Sequence, residues 1–460
     1  MTLSESIADF AVGTSYEDLP APVVARAKDL ILDTLAAAWA GTESTGSDDM
    51  FAMVTEEGGR ADATIWGFGA KVPAAGAAFV NGVTAAALDY DSLHLSAMSH
   101  AAIVTLPVAF ALAEREHLSG REFLTAFVVG HEVLCRLGLS TREFSGWFYT
   151  SMHGVFGGAV AGAMALRCDR SGVVNALGAA LSHVGGTQQA IIEKSLTKRL
   201  QSAFAARNAV FCAQLARRGV VAPLEAFEGK FGFYAKYEKG DAAVVLDGLG
   251  STWELLATMF KKFPSCGCNH AAIEAALQLR AEHGIAVSDI EQVEAVISPF
   301  MARLVAAPYS PVGNPQIAAQ FSVQYSVASA LLRGRLGVVE ILPAAALDET
   351  VRAFAHRVRV VIDESKTDAA VMSAMVRIRL RSGTAIDREI VDLPGSATNP
   401  LTAADLQAKF VECTALGVSP LSPTQASALA ARVQGIEDMT DMSRFFNGMV
   451  GANSKMQQLA

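Results

Sequence analysis

From residue 23 to residue 218 the chain reads as one small-residue helical segment after another. Apolar positions return at three- and four-residue intervals in 23–40, 74–88, 101–116, 120–139, 154–167, 171–182 and 198–218, and strand-like alternation is nearly absent. Val24, Ala27, Ile31, Leu35 and Ala38 carry the pattern in the first segment, with Pro22 before it and Gly41 as its stop. Alanine and glycine in such stripes let helix axes approach closely, so residues 1–265 are expected to form a helical domain. One hydrophobic core rarely serves more than about 250 to 300 residues. A chain of 460 is therefore expected to hold a second unit.

The character changes after Phe263-Pro264. A helix is expected over 270–283, followed by short β-branched segments at 292–297, 357–362 and 375–381. In the last of these Val376, Ile378 and Leu380 alternate with Arg377, Arg379 and Arg381, and Ser382-Gly383-Thr384 turns the chain into 385–391 as a hairpin. Residues 266–395 thus read as a smaller α+β domain. Leu393-Pro394-Gly395 breaks the pattern, after which Thr402 and Asp405 form a capping box that opens another helix in 396–460, expected to return to the first domain. The fold class is mostly α with an α+β part.

Several function classes are excluded at this level. A net charge of −9 without a basic stripe argues against nucleic-acid binding. The apolar runs 101–113 and 155–166 fall short of the ~20 residues that cross a bilayer, and residues 1–10 lack the basic and apolar regions of a signal peptide, so a cytoplasmic protein that spans no membrane is expected. Cysteines 135, 168, 212, 266, 268 and 413 are scattered as reduced core residues. Cys266-Gly267-Cys268 is too tight for a zinc knuckle and has no second pair, so no metal site is expected.

Charged and polar side chains inside apolar blocks constrain the function, because an unpaired buried charge costs several kcal/mol. Asp89, His100, Lys198, His270 and Tyr325 each sit inside or beside such a block and are expected to face one another or a ligand. Asp89-Tyr90-Asp91-Ser92-Leu93-His94, with His100 following, suits a proton-transfer loop, a solvated interhelical loop being the alternative. Lys198 stands at the expected start of its helix, where free backbone N–H groups favour an anion; a wet helix face is the alternative. Lys194, Arg199 and Arg207 would make that region locally positive. His270 lies at the expected domain boundary, a usual place for a cleft, or else serves packing. Tyr325 is by default a core tyrosine and His153 a structural histidine. The glycines after His153 have no strand before them and read as helix packing.

Taken in order and at their spacing, several motifs resemble the MmgE/PrpD family of dehydratases, decarboxylases and epimerases. They are Ala87-Leu88-Asp89-Tyr90-Asp91 with His100, Gly154-Val155-Phe156-Gly157, Thr197-Lys198-Arg199-Leu200 with Ala205-Ala206-Arg207, Phe263-Pro264-Ser265-Cys266 with His270, and Phe321-Ser322-Val323-Gln324-Tyr325. The resemblance implies a helical domain built from both termini, an α+β lid domain inserted between them, a homodimer, and a cofactor-independent cleft for a small polycarboxylate. Asp89, His100, Lys198, His270 and Tyr325 correspond by position to the family's active-site residues. Asp91, His94, His153, Arg199, Gln201 and Arg207 are the accompanying substrate-binding candidates.

The chain departs from the family pattern at three places. Asp91-Ser92-Leu93 replaces a second acid and a hydroxyl, and Phe148 and Gln201 each stand where a histidine is usual. Fewer imidazoles leave fewer donors for carboxylates and leave room for a substrate other than methylcitrate or aconitate. The expected reaction is removal of a proton next to a carboxylate followed by loss of water. Epimerisation, decarboxylation, and carboxylate binding without catalysis stay open.

Overall fold

The computed structural model describes residues 1–449 apart from 142, 368 and 369. The small-residue blocks form the helices Ala21–Gly41, Ala74–Ala87, Ala102–Glu116, Gly120–Ser140, Tyr149–Ala165, Arg170–Ala180 and Thr197–Arg217. Glycine decides how closely two of them cross. A Cβ added to Gly157 would lie 2.6 Å from the carbonyl oxygen of Gly130, so the Tyr149–Ala165 and Gly120–Ser140 helices meet backbone to backbone there. The other side of Tyr149–Ala165 meets Thr197–Arg217, where a Cβ on Gly158 would lie 2.8 Å from that of Ala209.

The expectation that no apolar segment reaches bilayer length is corrected by Gly120–Ser140. This helix is long and apolar enough to cross a membrane, but 94% of the stretch is buried inside the fold, where Glu132 and Arg136 pair at 2.7 Å. Burial among protein helices accounts for its composition.

After residue 263 the Gly267–His283 helix packs against a four-stranded mixed sheet. Ile290–Ile297 runs parallel to Val358–Ile362 on one side and antiparallel to Ala374–Leu380 on the other, which continues through a hairpin into Ala385–Ile390. Ala374, Val376 and Ile378 are buried. Arg377 and Arg379 point outward to Glu294 at 3.4 Å and Glu291 at 3.2 Å on the neighbouring strand.

The C-terminal segment reaches the N-terminal helices. Ala403–Thr414 opens with the Thr402–Asp405 capping box and lies against Ala21–Gly41, with Lys409 Nζ 2.5 Å from Asp33 Oδ1. Trp39 Nε1 donates to the Ser419 carbonyl at 2.7 Å. Phe445 and Phe446 close on Phe110, with ring centroids 5.0 and 5.4 Å away. The remainder of the expected C-terminal helical segment, 450–460, lies outside the described residues.

Candidate active site

The Ala74–Ala87 helix ends at Leu88, and Asp89 turns the chain with a left-handed backbone at φ 50°. Such a conformation costs a non-glycine residue about 1–3 kcal/mol unless its surroundings hold it, and Asp is among the side chains that tolerate it best. Here the surroundings are two lysines. Lys198 Nζ, from the start of Thr197–Arg217, lies 2.6 Å from Asp89 Oδ1, and Lys261 Nζ lies 3.3 Å from the same oxygen. Lys261 also donates to the Asp89 carbonyl at 2.8 Å. Burial pushes the Asp89 carboxyl up, but Lys198 and Lys261, with a smaller pull from His100, hold it well below the usual carboxylate range.

Two residues on, Asp91 Oδ2 lies 2.7 Å from His100 Nδ1. Among the described residues the other Asp91 oxygen is buried without a hydrogen-bond partner. Burial raises this carboxyl too, and His100, with a smaller pull from Lys261, more than reverses the effect, so it stays ionised. A carboxylate on Nδ1 fixes the imidazole tautomer with its proton there and leaves Nε2 as the basic nitrogen. His100 keeps 12% of its side chain exposed, and its backbone N–H donates to Thr150 Oγ1 at 3.0 Å. Two carboxylates against two ammoniums make a neutral set. It becomes singly positive when His100 takes a proton.

One donor atom each from Asp89, Asp91 and His100 lie within 4.8 Å of one another, a spacing that a metal ion could bridge. One Asp89 oxygen is already held by two ammoniums and one Asp91 oxygen by an imidazole, which leaves Asp91 Oδ1 and His100 Nε2 as the uncommitted donors of the set. Lys198 Nζ also stands 5.3 Å from the Phe321 ring centroid and 5.9 Å from that of Phe148. These rings dry the surroundings of the ammonium, which strengthens its hold on an anion.

The other expected residues are placed differently. Free N–H groups are not found at the start of the Lys198 helix, because Thr197 N donates to Ser195 Oγ, Lys198 N to the Ser195 carbonyl and Arg199 N to the Leu196 carbonyl. His270 is fully buried, with Nε2 3.3 Å from the Ser265 carbonyl and Nδ1 unpartnered among the described residues. Burial, then the charge of Lys261, push its pKa down to about 3. A neutral imidazole cannot hold a carboxylate by charge. Tyr325 is not brought to the cluster: its hydroxyl donates to the Glu340 carbonyl and accepts from Arg333 at 3.3 Å.

His94 is spent on its own loop, with Nδ1 accepting from Ala97 N and Nε2 3.1 Å from Glu254. Arg199 braces the site from behind, donating to the Thr45 carbonyl and to Gln320, whose amide in turn donates to the Ala87 carbonyl. Gln201 accepts from Thr187 N. Arg207 is exposed. It lies nine residues beyond Lys198, half a turn around the helix, and so faces away.

His153 is fully buried against the rings of Tyr149 and Phe233, at 4.9 and 5.6 Å, and among the described residues neither of its nitrogens reaches a partner outside its own helix. Burial pushes its pKa from 6.5 to about 3. Below pH 6.5 the unfolded chain therefore takes up a proton that the folded protein refuses, and stability falls as pH drops toward 3. His153→Leu is expected to remove up to about 1.4 kcal/mol per pH unit of that slope, read as a flatter dependence of Tm on pH between 6.5 and 4. An unchanged slope would mean that the ring is solvated.

Lys261 is the member of the cluster that sequence reasoning missed. It sits beside half-buried Lys262 in Phe260-Lys261-Lys262-Phe263, and the available signal was a lysine flanked by aromatic residues.

Two family models match the chain, the MmgE/PrpD N-terminal domain over residues 5–245 and the MmgE/PrpD C-terminal domain over residues 263–433. Among curated relatives, the cis-aconitate decarboxylase-like protein oryM of Aspergillus oryzae is 26% identical over 451 residues, covering 93% of this chain and 92% of its own. The cis-aconitate decarboxylase of Homo sapiens is 27% identical over 470 residues, covering 96% and 93%. That of Aspergillus terreus is 30% identical over 298 residues, 61% of each chain.

Proposed function

The chain belongs to the MmgE/PrpD family, and on that premise we propose that it is a cofactor-independent lyase acting on a small tricarboxylate, with decarboxylation of cis-aconitate or a close analogue as its reaction. The carrying observation is the Asp91–His100 pair set beside Asp89, Lys198 and Lys261.

The chemistry needs one acid and one fixed cation. In an allylic tricarboxylate the bond from the terminal methylene to its carboxyl breaks and carbon dioxide leaves. The freed electron pair forms a new double bond to the central carbon, and the old π pair takes a proton at the far alkene carbon. Protonated His100 Nε2 supplies that proton, with Asp91 stabilising the imidazolium. Lys198, near the Phe148 and Phe321 rings, holds the carboxylate on which charge changes, and Lys261 keeps Asp89 ionised so that Lys198 stays in place. Loss of water or epimerisation would use the same groups on a carboxylate-stabilised carbanion. The relatives' names favour decarboxylation over the water loss expected from sequence.

Incubation with cis-aconitate, citrate and 2-methylcitrate in heavy water, followed by proton NMR, is the test. Carbon dioxide release with one deuterium in the new methylene supports the reading. An unsaturated product without gas makes the protein a dehydratase, and deuterium at an inverted centre makes it an epimerase. No conversion of any of the three rejects the reading.

The proposal includes a homodimer. Phe204 and Phe211 are 44% and 50% exposed and lie seven residues apart, on one stripe of Thr197–Arg217, and Val221 beyond the helix is 85% exposed. Phe211→Glu is expected to halve the mass seen by light scattering. An unchanged mass would remove this face from the interface.

A further inference from the structure

A further buried lysine meets the 89–91 segment and has no place in the chemistry above. Lys409 comes from the Ala403–Thr414 helix, and its side chain is 3% exposed. Its ammonium makes four contacts. It donates to the Tyr90 carbonyl at 2.7 Å and to the Lys261 carbonyl at 3.1 Å, lies 2.5 Å from Asp33 Oδ1, and sits 3.9 Å from the centroid of the Tyr90 ring.

The two carbonyls belong to the residue between Asp89 and Asp91 and to the lysine that grips Asp89. One ammonium therefore ties together the backbones that aim both carboxylates. We propose that Lys409 is a positioning residue: by bonding the Tyr90 and Lys261 carbonyls it holds Asp89, Asp91 and Lys261 in register for the reaction, while touching none of the reacting groups. The bland alternative is that Lys409 merely neutralises Asp33. The geometry separates the two roles, because the carbonyl bonds do not need the Asp33 carboxylate. Register matters at this point, since displacement of a reacting group by about 1 Å can cost 10²-fold in rate.

A cavity of about 540 Å³ opens next to the pair, lined by Arg26, Asp29, Asp33, Phe260, Lys409 and Phe410 among others. Shortening Lys409 would extend this space to the two carbonyls, so a small alkylammonium ion can take the place of the lost side chain.

The role as positioning residue rests on the proposed lyase reaction for its kinetic arm and is independent of it in its spectroscopic arm. Lys409→Ala is expected to lower kcat on cis-aconitate by about 10- to 100-fold with KM within about twofold, and ethylammonium chloride is expected to restore turnover where sodium chloride does not. Asp33→Asn is expected to stay within about threefold of wild type, because its lysine still bonds both carbonyls. If Lys409→Ala does not fold, Asp33→Asn/Lys409→Met removes both charges and should fold with the same kcat deficit.

In protein labelled with nitrogen-15 at histidine, the low-field Nδ1–H resonance of the His100–Asp91 bond is expected to shift or vanish in Lys409→Met and to persist in Asp33→Asn. This arm reads the geometry even if wild type converts none of the tested acids. Equal kcat losses in the Lys409 and Asp33 variants, a loss confined to KM, absence of amine rescue, or an unmoved resonance would each overturn the proposal and leave Lys409 as a counter-ion.

Discussion

Lys198→Ala is expected to reduce kcat/KM by about 10³-fold or more while the protein still folds. Losing one pre-aimed donor to a developing anion costs about 10²–10³ in rate, and truncating one partner of a buried, hydrogen-bonded charge pair costs a further few kcal/mol by stranding the other. Asp89 would not be wholly stranded, because Lys261 remains 3.3 Å from its carboxylate and bonded to its carbonyl. Folding should therefore survive with a lowered Tm. Removing Lys198 also takes away the cation near Phe148 and Phe321 that a substrate carboxylate would meet. The variant's loss should thus fall on both kcat and KM. Steady-state kinetics alongside circular dichroism decide the matter, and a loss smaller than tenfold in a folded protein would take Lys198 out of the chemistry.

How far the sequence revealed this arrangement depends on whether the deciding physics is local. The helices were legible because apolar spacing is a local pattern, and the Arg377 and Arg379 strand because alternation is. Asp89 and Lys198 were legible as charges in places that do not tolerate a lone charge. Lys261, Asp33 and Lys409 obey the same rule but were hidden. Asp33 and Lys409 each pass for one polar residue on a helix, and only the fold shows that they meet at 2.5 Å. Lys261 is masked by the half-buried Lys262 beside it. Orientation was the other blind spot. Residue type does not say that the His270 ring turns onto the Ser265 carbonyl, or that the Tyr325 hydroxyl reaches Glu340 and Arg333. Arg207 was different, since its position half a turn from Lys198 could have been read from the helical wheel.

The Asp91–His100 pair gives the other large expected effect. His100→Gln should lower kcat by about 10²–10⁴-fold, the range for losing a general acid or base, with little change in substrate affinity. Asp91→Asn should do nearly as much for a different reason. An asparagine amide would donate to His100 Nδ1 where the carboxylate now accepts at 2.7 Å, so the ring proton would move to Nε2 and the imidazolium would lose its counter-charge. The double variant should then be scarcely worse than His100→Gln alone, because the two groups act as one unit. Asp91→Glu is a useful companion, since it restores the charge but moves it. Solvent deuterium makes the readout specific: wild type should place one deuterium in each product molecule, and His100→Gln should do so at the reduced rate of turnover. If His100→Gln and Asp91→Asn lose activity by amounts that simply multiply, the pair does not share a proton, and the acid must be sought elsewhere around Asp89.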